Sequence, residues 1–298
     1  MTKALYPTFD IHNLDANKLS DEILNVDRFG DYLSKNPHLK VPHKHSFYHL
    51  LYFTKGSGSH TVDFESFPVK EGMIYFMRPG QVHNWNFKGA VDGYIINFSP
   101  LFFNRYGMSD GVPGQFSFFV GNATNQVKNL NAETRAVVEG LFERILLEKA
   151  AQQQQGPLMI AALMIELFIA VQRSAEAEKV ATVQPNYNNV ILRDFQLLVE
   201  QHFRELKLPK DYAALLFIRP ARLNAICKEW TDQSAGEVIR NRILLEAKRL
   251  LVNFELSISY IALELNFPDA SYFVKFFKKY VGSTPDVFRK NQLAGAAV

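Results

Sequence analysis

SISYIALELNFPDASYFVKFFKKYVGSTPDVFRK, residues 257–290, carries two helices, the turn between them and the start of a third. Ser257 stands as a capping residue before an apolar-periodic run, Ile258 to Leu265, which Asn266-Phe267-Pro268 interrupts as a turn. Asp269 then caps a helix predicted to reach Tyr280, because an aspartate there can accept from the unpaired N–H groups of the first turn. Phe273, Phe276, Phe277 and Tyr280 recur at three- and four-residue steps and form the stripe expected to face inward. Ala270, Ser271, Val274, Lys275 and Lys278 fall on the outer side. Gly282 ends the helix, and Thr284-Pro285 opens a last one running to Lys290.

Upstream, Val238 to Val252 is a longer helix with Ile239, Ile243, Ala247 and Leu250 on one face. Before it the same short-helix, turn, helix pattern occurs a first time. Asp211 to Leu216 is the short helix, with Asp211 as its N-cap, and Arg219-Pro220 opens the next, where the missing proline N–H costs nothing. Leu223, Ile226, Cys227 and Trp230 make its apolar face, and Arg222, Asn224, Ala225 and Lys228 lie on the others. With Val190 to Arg204 as a first helix, residues 189–298 read as an all-α domain of about seven helices containing two helix-turn-helix motifs. Two such motifs about 50 residues apart, joined by one helix, have a physical use. One recognition helix can read base edges in a major groove while the second, at fixed spacing, reads the next groove about 34 Å along the duplex.

Charge divides the chain in the same place. Residues 186–298 hold 16 Lys and Arg against 12 Asp and Glu, whereas residues 1–185 hold 17 against 18. A basic C-terminal third beside a neutral remainder suggests that the two parts meet different partners.

EAKRLL (246–251), SISYIALELNF (257–267) and SYFVKFFKKYVGSTPDVFRK (271–290) resemble the DNA-binding domain of the AraC/XylS transcription regulators, with order and spacing intact over about 100 residues. The resemblance implies double-stranded DNA as partner. It makes Pro220, Ala221, Asn224 and Ala225 the outward face of the first recognition helix, and Ala270, Ser271, Val274 and Lys275 that of the second. Asn224 could make a bidentate contact to adenine, and Ala221, Ala225 and Val274 could touch thymine methyls. Arg219, Arg222, Lys228, Lys278 and Lys279 are placed to hold phosphates, which positions without specifying. Asn266 and Asp232 depart from the family, which usually has Gly at both positions. Asn tolerates a left-handed turn, whereas Asp232 puts a negative charge at a helix C-terminus. Cys227 reads as a small buried hydrophobe.

In the N-terminal half the texture is β. Phe47–Lys55, Ser59–Glu65, Met73–Met77 and Val91–Phe98 are short aromatic or β-branched runs with turns at Gly56-Ser57-Gly58, Glu71-Gly72 and Pro79-Gly80. PHKHSFYHLLYFTKGSGSH (42–60) and KEGMIYFMRPGQVHNW (70–85) resemble the cupin-type effector domain that precedes the DNA-binding domain in the same family. The fold expected is therefore multi-domain α and β: a cupin-like β-barrel with two packed helices (132–150 and 158–173), then the all-α domain. Domain limits are expected at 1–173 and 189–298, with SAEAEKVATVQPNYN (174–188) as linker and Gly156-Pro157 as the turn between the two helices.

On one continuous strand His43, His45 and His49 would share a face, and His83 could approach them. That spacing suits a Zn, Fe or Ni site. His49, however, stands where metal-binding cupins usually offer a carboxylate, and the resemblance implies an organic effector more often than a metal. The expectation is a polar pocket with no metal and no cofactor, its effector-binding residues being His45, Phe47, His49, Tyr75, His83 and Trp85. The resemblance also implies homodimerisation through the two helices and RNA polymerase as a partner.

The single cysteine excludes a disulfide-stapled scaffold. The first residues contain no apolar run of signal-peptide type, and the longest apolar stretch, Leu158 to Val171, falls short of the ~20 residues a membrane span needs. A cytoplasmic, non-membrane protein is expected. No nucleophile elbow, zinc-protease helix or phosphate-binding glycine loop is present in the sequence. The function expected is a sequence-specific DNA-binding transcription regulator controlled by a small-molecule effector, not an enzyme. The alternative is a metal-dependent cupin enzyme fused to a DNA-binding module.

Overall fold

In the computed structural model, which describes residues 7–11, 23–108, 111–120, 123–177 and 187–296, the aromatic and β-branched runs of the N-terminal half pair into two five-stranded sheets. The strands are β1 (Thr8–Phe9), β2 (Leu24–Arg28), β3 (His43–His45), β4 (Tyr48–Lys55), β5 (Gly58–Val62), β6 (Glu65–Pro68), β7 (Met73–Met77), β8 (Val82–Phe87), β9 (Asp92–Phe98) and β10 (Val127–Asn129). One sheet has the order β1-β3-β8-β5-β6 and the other β10-β7-β4-β9-β2. All neighbours are antiparallel except β1 on β3.

The second sheet is covered on both faces, which is why YHLLYFTK and MIYFM are nearly continuous apolar runs rather than alternating ones. Leu51, Phe53, Tyr75, Met77 and Ile95 face the barrel interior. Leu50, Tyr52, Ile74, Phe76 and Ile96 face outward and are covered by helices. Of the helices in this part, α1 (Phe29–Lys35) contributes Phe29 and Tyr32 to the interior, and α2 (Phe102–Arg105) and α3 (Ala123–Gln126) are single turns. The long pair α4 (Ala132–Ala151) and α5 (Gly156–Ala177) pack on each other and on the outer face of the sheet. Tyr52 and Tyr94 donate their hydroxyls to Glu139 and Glu143 of α4, at 2.7 and 2.6 Å.

The chain forms two compact units, within Pro7–Gln184 and within Pro185–Val298. The second is helical: α6 (Tyr187–His202), α7 (Pro209–Leu215), α8 (Pro220–Thr231), α9 (Ala235–Leu251), α10 (Ile258–Glu264), α11 (Ala270–Val281) and α12 (Pro285–Ala296). The expected caps form: Ser257 accepts from Tyr260 N–H at 3.0 Å and Asp269 from Tyr272 N–H at 2.7 Å. A full capping box, Ser234 with Glu237, starts α9.

Several expectations are corrected. The run Ser59–Glu65 is a hairpin, since Asp63 and Phe64 both take positive φ (48° and 73°) and reverse the chain between β5 and β6. Gly156-Pro157 is not the turn but the first two residues of α5; the reversal uses left-handed Gln152 and Gln155 instead. Residues 174–177 continue α5 and 187–188 begin α6, so the linker expected at 174–188 is partly helical; 178–186 lie outside the described residues. Asp211 sits in the first turn of α7, whose N-cap is Leu208. Helix α5 is longer than its 14-residue apolar stretch, and Gly156–Ser174 has the length and composition of a membrane span. It is nevertheless a core helix, with Ile160, Leu163, Met164, Leu167, Phe168 and Val171 all buried.

Candidate functional site

The two helix-turn-helix turns repeat one backbone path at an offset of 49 positions. Ile218 N–H donates to Ala213 C=O at 3.0 Å, and Phe267 N–H donates to Ala262 C=O at 2.8 Å. Each turn has a left-handed residue in its middle, Phe217 (φ 54°) and Asn266 (φ 53°). Asn266 fulfils the sequence expectation. Phe217 was not foreseen: a bulky side chain in the left-handed region is costly, and its ring is 96% exposed. Only aligning Leu216-Phe217-Ile218 on Leu265-Asn266-Phe267 would have revealed it.

On α8 and its N-cap, Arg219, Pro220, Ala221, Arg222, Ala225 and Lys228 are exposed and Asn224 is half-buried. On α11, Ser271, Lys275 and Lys278 are exposed while Ala270 and Val274 are half-buried. Asn224 Oδ1 accepts from Ala235 N–H at 3.2 Å, which ties its side chain to the start of α9. Tyr280 leaves the inward stripe and lies 40% exposed beneath the Arg240 guanidinium, 4.3 Å from its ring centre. Tyr272, next to Ser271, is an exposed aromatic that the face assignment passed over. Asp232 takes the left-handed C-cap position of α8 (φ 56°). Cys227 is buried, which pushes its thiol up to about 12 and leaves it a packing residue.

Beneath α8 and α11 the connecting helix α9 is anchored by charge. Glu246 receives Arg242 at 3.0 Å and Arg249 at 3.4 Å, with Arg204 at 3.8 Å, and Arg242 also reaches Glu200 at 2.8 Å. Burial pushes the Glu246 carboxyl up, but Arg249, Arg242 and Arg204 outweigh it and hold the group below its ordinary value. Glu246→Ala would leave Arg249 and Arg242 buried without their shared anion, so urea unfolding is expected to show a loss of about 3–5 kcal/mol in the helical unit. Since the folded value is depressed, this contribution is complete above the unfolded value of about 4.3 and is lost as pH falls through the folded value.

The barrel interior gathers all six residues expected to bind an effector. His45, Phe47, His49, Tyr75, His83 and Trp85 are buried, and His43 and His60 join them. The route differs from the one expected. His43 and His45 lie on β3 in one sheet and His49 on β4 in the other, the chain crossing between sheets at Ser46-Phe47. His83 faces His43 across the β3–β8 pair, with ring centres 4.2 Å apart. His45 lies 4.9 Å from His83 and 5.1 Å from His49, and His49 lies 6.0 Å from Trp85. His60 was missed. It enters because β5 pairs with β8, placing His60 opposite Trp85 and its ring 5.3 Å from His83 and 4.7 Å from Tyr75.

Hydrogen bonds fix two tautomers. His43 donates Nδ1–H to the Val41 carbonyl at 2.7 Å, and His49 donates Nδ1–H to Asn97 Oδ1 at 2.8 Å, leaving a lone pair on each Nε2. His43 Nε2 and His45 Nε2 are 3.1 Å apart, as are His60 Nε2 and His83 Nδ1. Burial lowers His43 to about 4 and His49 to about 3, and it holds His45, His60 and His83 well below the usual histidine value, their mutual repulsion adding to the shift. All five rings are therefore neutral at pH 7. One ligand atom from each of His43, His45 and His83 lies within 4.8 Å of the others, a spacing that could hold a metal ion.

A barrel with a buried polar cluster, together with a duplicated helix-turn-helix, has the make-up of a ligand-responsive DNA-binding regulator. Residues 30–168 match the model of the AraC-like ligand binding domain, and residues 212–291 match a helix-turn-helix domain. The HTH-type transcriptional activator RhaR of Mannheimia succiniciproducens is 21% identical over 253 residues, 83% of this chain and 86% of that protein. The HTH-type transcriptional regulator YfiF of Bacillus subtilis is 22% identical over 258 residues, covering 83% and 78%. Among solved structures, ToxT from Vibrio cholerae aligns with 14% identity over 89% of this chain and 97% of that chain, at a TM-score of 0.39. The chain belongs to the AraC/XylS family of transcription regulators, with an N-terminal ligand-binding domain and a C-terminal DNA-binding domain.

Proposed function

We propose that the protein acts in the cytoplasm as a homodimeric, non-enzymatic regulator. In this reading α8 and α11 enter successive major grooves of one operator and RNA polymerase is the downstream partner. The duplicated turn geometry carries the reading: two recognition helices delivered by one backbone solution are suited to two equivalent grooves. Arg219, Arg222, Lys228, Lys278 and Lys279 are assigned to phosphates. Ala221, Asn224, Ala225, Ser271, Val274 and Lys275 are assigned to base edges, with Pro220 and Ala270 at the helix starts. The dimer is assigned to α4 and α5, where Val137, Leu147, Met159 and Ile169 leave apolar surface exposed on the side away from the sheet. A small-molecule effector is assigned to the chamber lined by His45, Phe47, His49, Tyr75, His83 and Trp85.

Selection of genomic duplex fragments by the intact protein at near-physiological salt tests the reading. The expected outcome is a site with two sequence blocks about one helical turn apart. Equal retention of all fragments would overturn sequence-specific regulation. In the same assay Arg219→Ala and Lys278→Ala should each weaken cognate and unrelated duplexes alike. Each should also flatten the slope of log affinity against log salt by about 0.9. A loss confined to the cognate duplex would instead make that residue a base reader.

A further inference from the structure

Among the described residues, four buried ring nitrogens inside the barrel have no hydrogen-bond partner: His45 Nδ1, His49 Nε2, His60 Nδ1 and His83 Nε2. Packing rarely leaves buried polar atoms unsatisfied, and here four lie in one histidine cluster against Phe47 and Trp85, two of them, His83 Nε2 and His49 Nε2, free to ligate. From this cluster we infer that the barrel interior is a binding site for one divalent first-row transition-metal ion, held by His43, His45 and His83 with His49 as the next donor. The inference deepens the proposed function by naming a ligand for the same chamber. It rests on that reading for its regulatory consequence but not for the binding itself.

The chemistry agrees at each level. Imidazole suits zinc, nickel, cobalt, copper and iron, whereas calcium and magnesium want oxygen ligands. The His43 Nε2 to His45 Nε2 separation of 3.1 Å is close to the ~3.3 Å between two nitrogens bound tetrahedrally at about 2.05 Å. The ligand atoms of His43, His45 and His83 all lie within 4.8 Å of one another, and binding one ion would draw the widest pair in toward the same ~3.3 Å. The Nδ1–H groups of His43 and His49 are tied to a backbone carbonyl and to a carboxamide. This is the outer arrangement that fixes the tautomer and orientation of metal-bound histidines. Burial keeps the rings neutral, the form that ligates, and His60 Nε2 braces His83 from behind at the latter's Nδ1, 3.1 Å away.

The test uses the full chain, stripped with a chelator and reloaded with Zn(II) or Co(II). After desalting, elemental analysis should find about one ion per chain, and Co(II) should show the visible bands of a nitrogen-rich tetrahedral site. His45→Gln and His83→Gln should each lose the ion. Asn97→Ala, which removes the Oδ1 that accepts from His49 Nδ1–H, should weaken binding by about 10–100-fold. His202→Ala, in the helical unit, should bind like the parent. Circular dichroism of each variant separates loss of the site from loss of the fold. Should His45→Gln or His83→Gln fail to fold, Asn97→Ala and X-ray absorption of the zinc-loaded parent decide. A first shell without imidazole, no retained ion in the parent, or equal retention in the histidine variants would overturn the inference. Metal content is read without DNA, so its failure is distinct from a failure of the operator selection.

Discussion

Lowering the pH of chelator-treated protein from 7 to 5 is expected to unfold the N-terminal unit while the helical unit stays folded. His43, His45, His49, His60 and His83 all have folded values depressed below the ordinary 6.5 by burial. The unfolded chain therefore takes up protons that the folded chain refuses, and stability falls as pH drops below about 6.5 until the folded values are reached. The five rings act in the same direction, so their linkage to proton uptake adds up in the one barrel. After position 83 the sequence has one histidine, His202, so the helical unit carries no such load. The two tryptophans report separately, Trp85 from the barrel and Trp230 from α8. In a Trp230→Phe variant, Trp85 fluorescence should show an unfolding transition as pH falls below the ordinary histidine value of about 6.5. An unchanged signal down to pH 4 would mean that the histidines are not held neutral by burial.

Replacing Gly93 with alanine is the second large effect expected. Gly93 is at φ 156°, opposite Phe53 in the β4–β9 pair, where β4 departs from regular register. A Cβ there would sit 1.8 Å from the Tyr52 carbonyl oxygen and 3.0 Å from Phe53 Cα. Both obstacles are backbone of the central strand, so no side chain can swing aside to relieve the clash. Separating β4 from β9 would open a sheet that is buried on both faces, and the cost should exceed about 4 kcal/mol. Gly80→Ala is the control: no atom of the described residues lies within 4 Å of its Cβ, so the left-handed backbone, at about 1–2 kcal/mol, is what is penalised. Urea midpoints followed by Trp85 should separate the two variants clearly. Similar midpoints would mean that the β4–β9 irregularity can absorb a methyl group.

What was legible in the sequence follows from how local each signal is. Ser257, Asp269, Pro220 and Asn266 act through their own turn, and their caps and left-handed backbone are found where the residue types place them. The grouping of His43, His45, His49 and His83 was readable from spacing, though through a wrong picture of one continuous strand. His60 depends on the β5–β8 register, which no neighbour in sequence encodes. β1, β2 and β10 lie outside the aromatic run and owe their strand state to partners far along the chain, so their short polar sequences gave no sign of it. The Asn224 contact with the start of α9 was illegible for the same reason, since it is a contact between helices.

Helix α9, 17 residues closed by a capping box and anchored at Glu246, is a rod of about 25 Å set between the two motifs. A rod does not stretch, so it fixes the angular phase between the two recognition helices as well as their separation. Adding one base pair between the two blocks of an operator swings the second block about a tenth of a turn around the duplex axis. Adding one residue to α9 would swing everything beyond it by about 100° about its own axis. Operators for this protein should therefore vary in letters far more readily than in length, and a spacer change of half a duplex turn would hide the second block on the far side of the DNA.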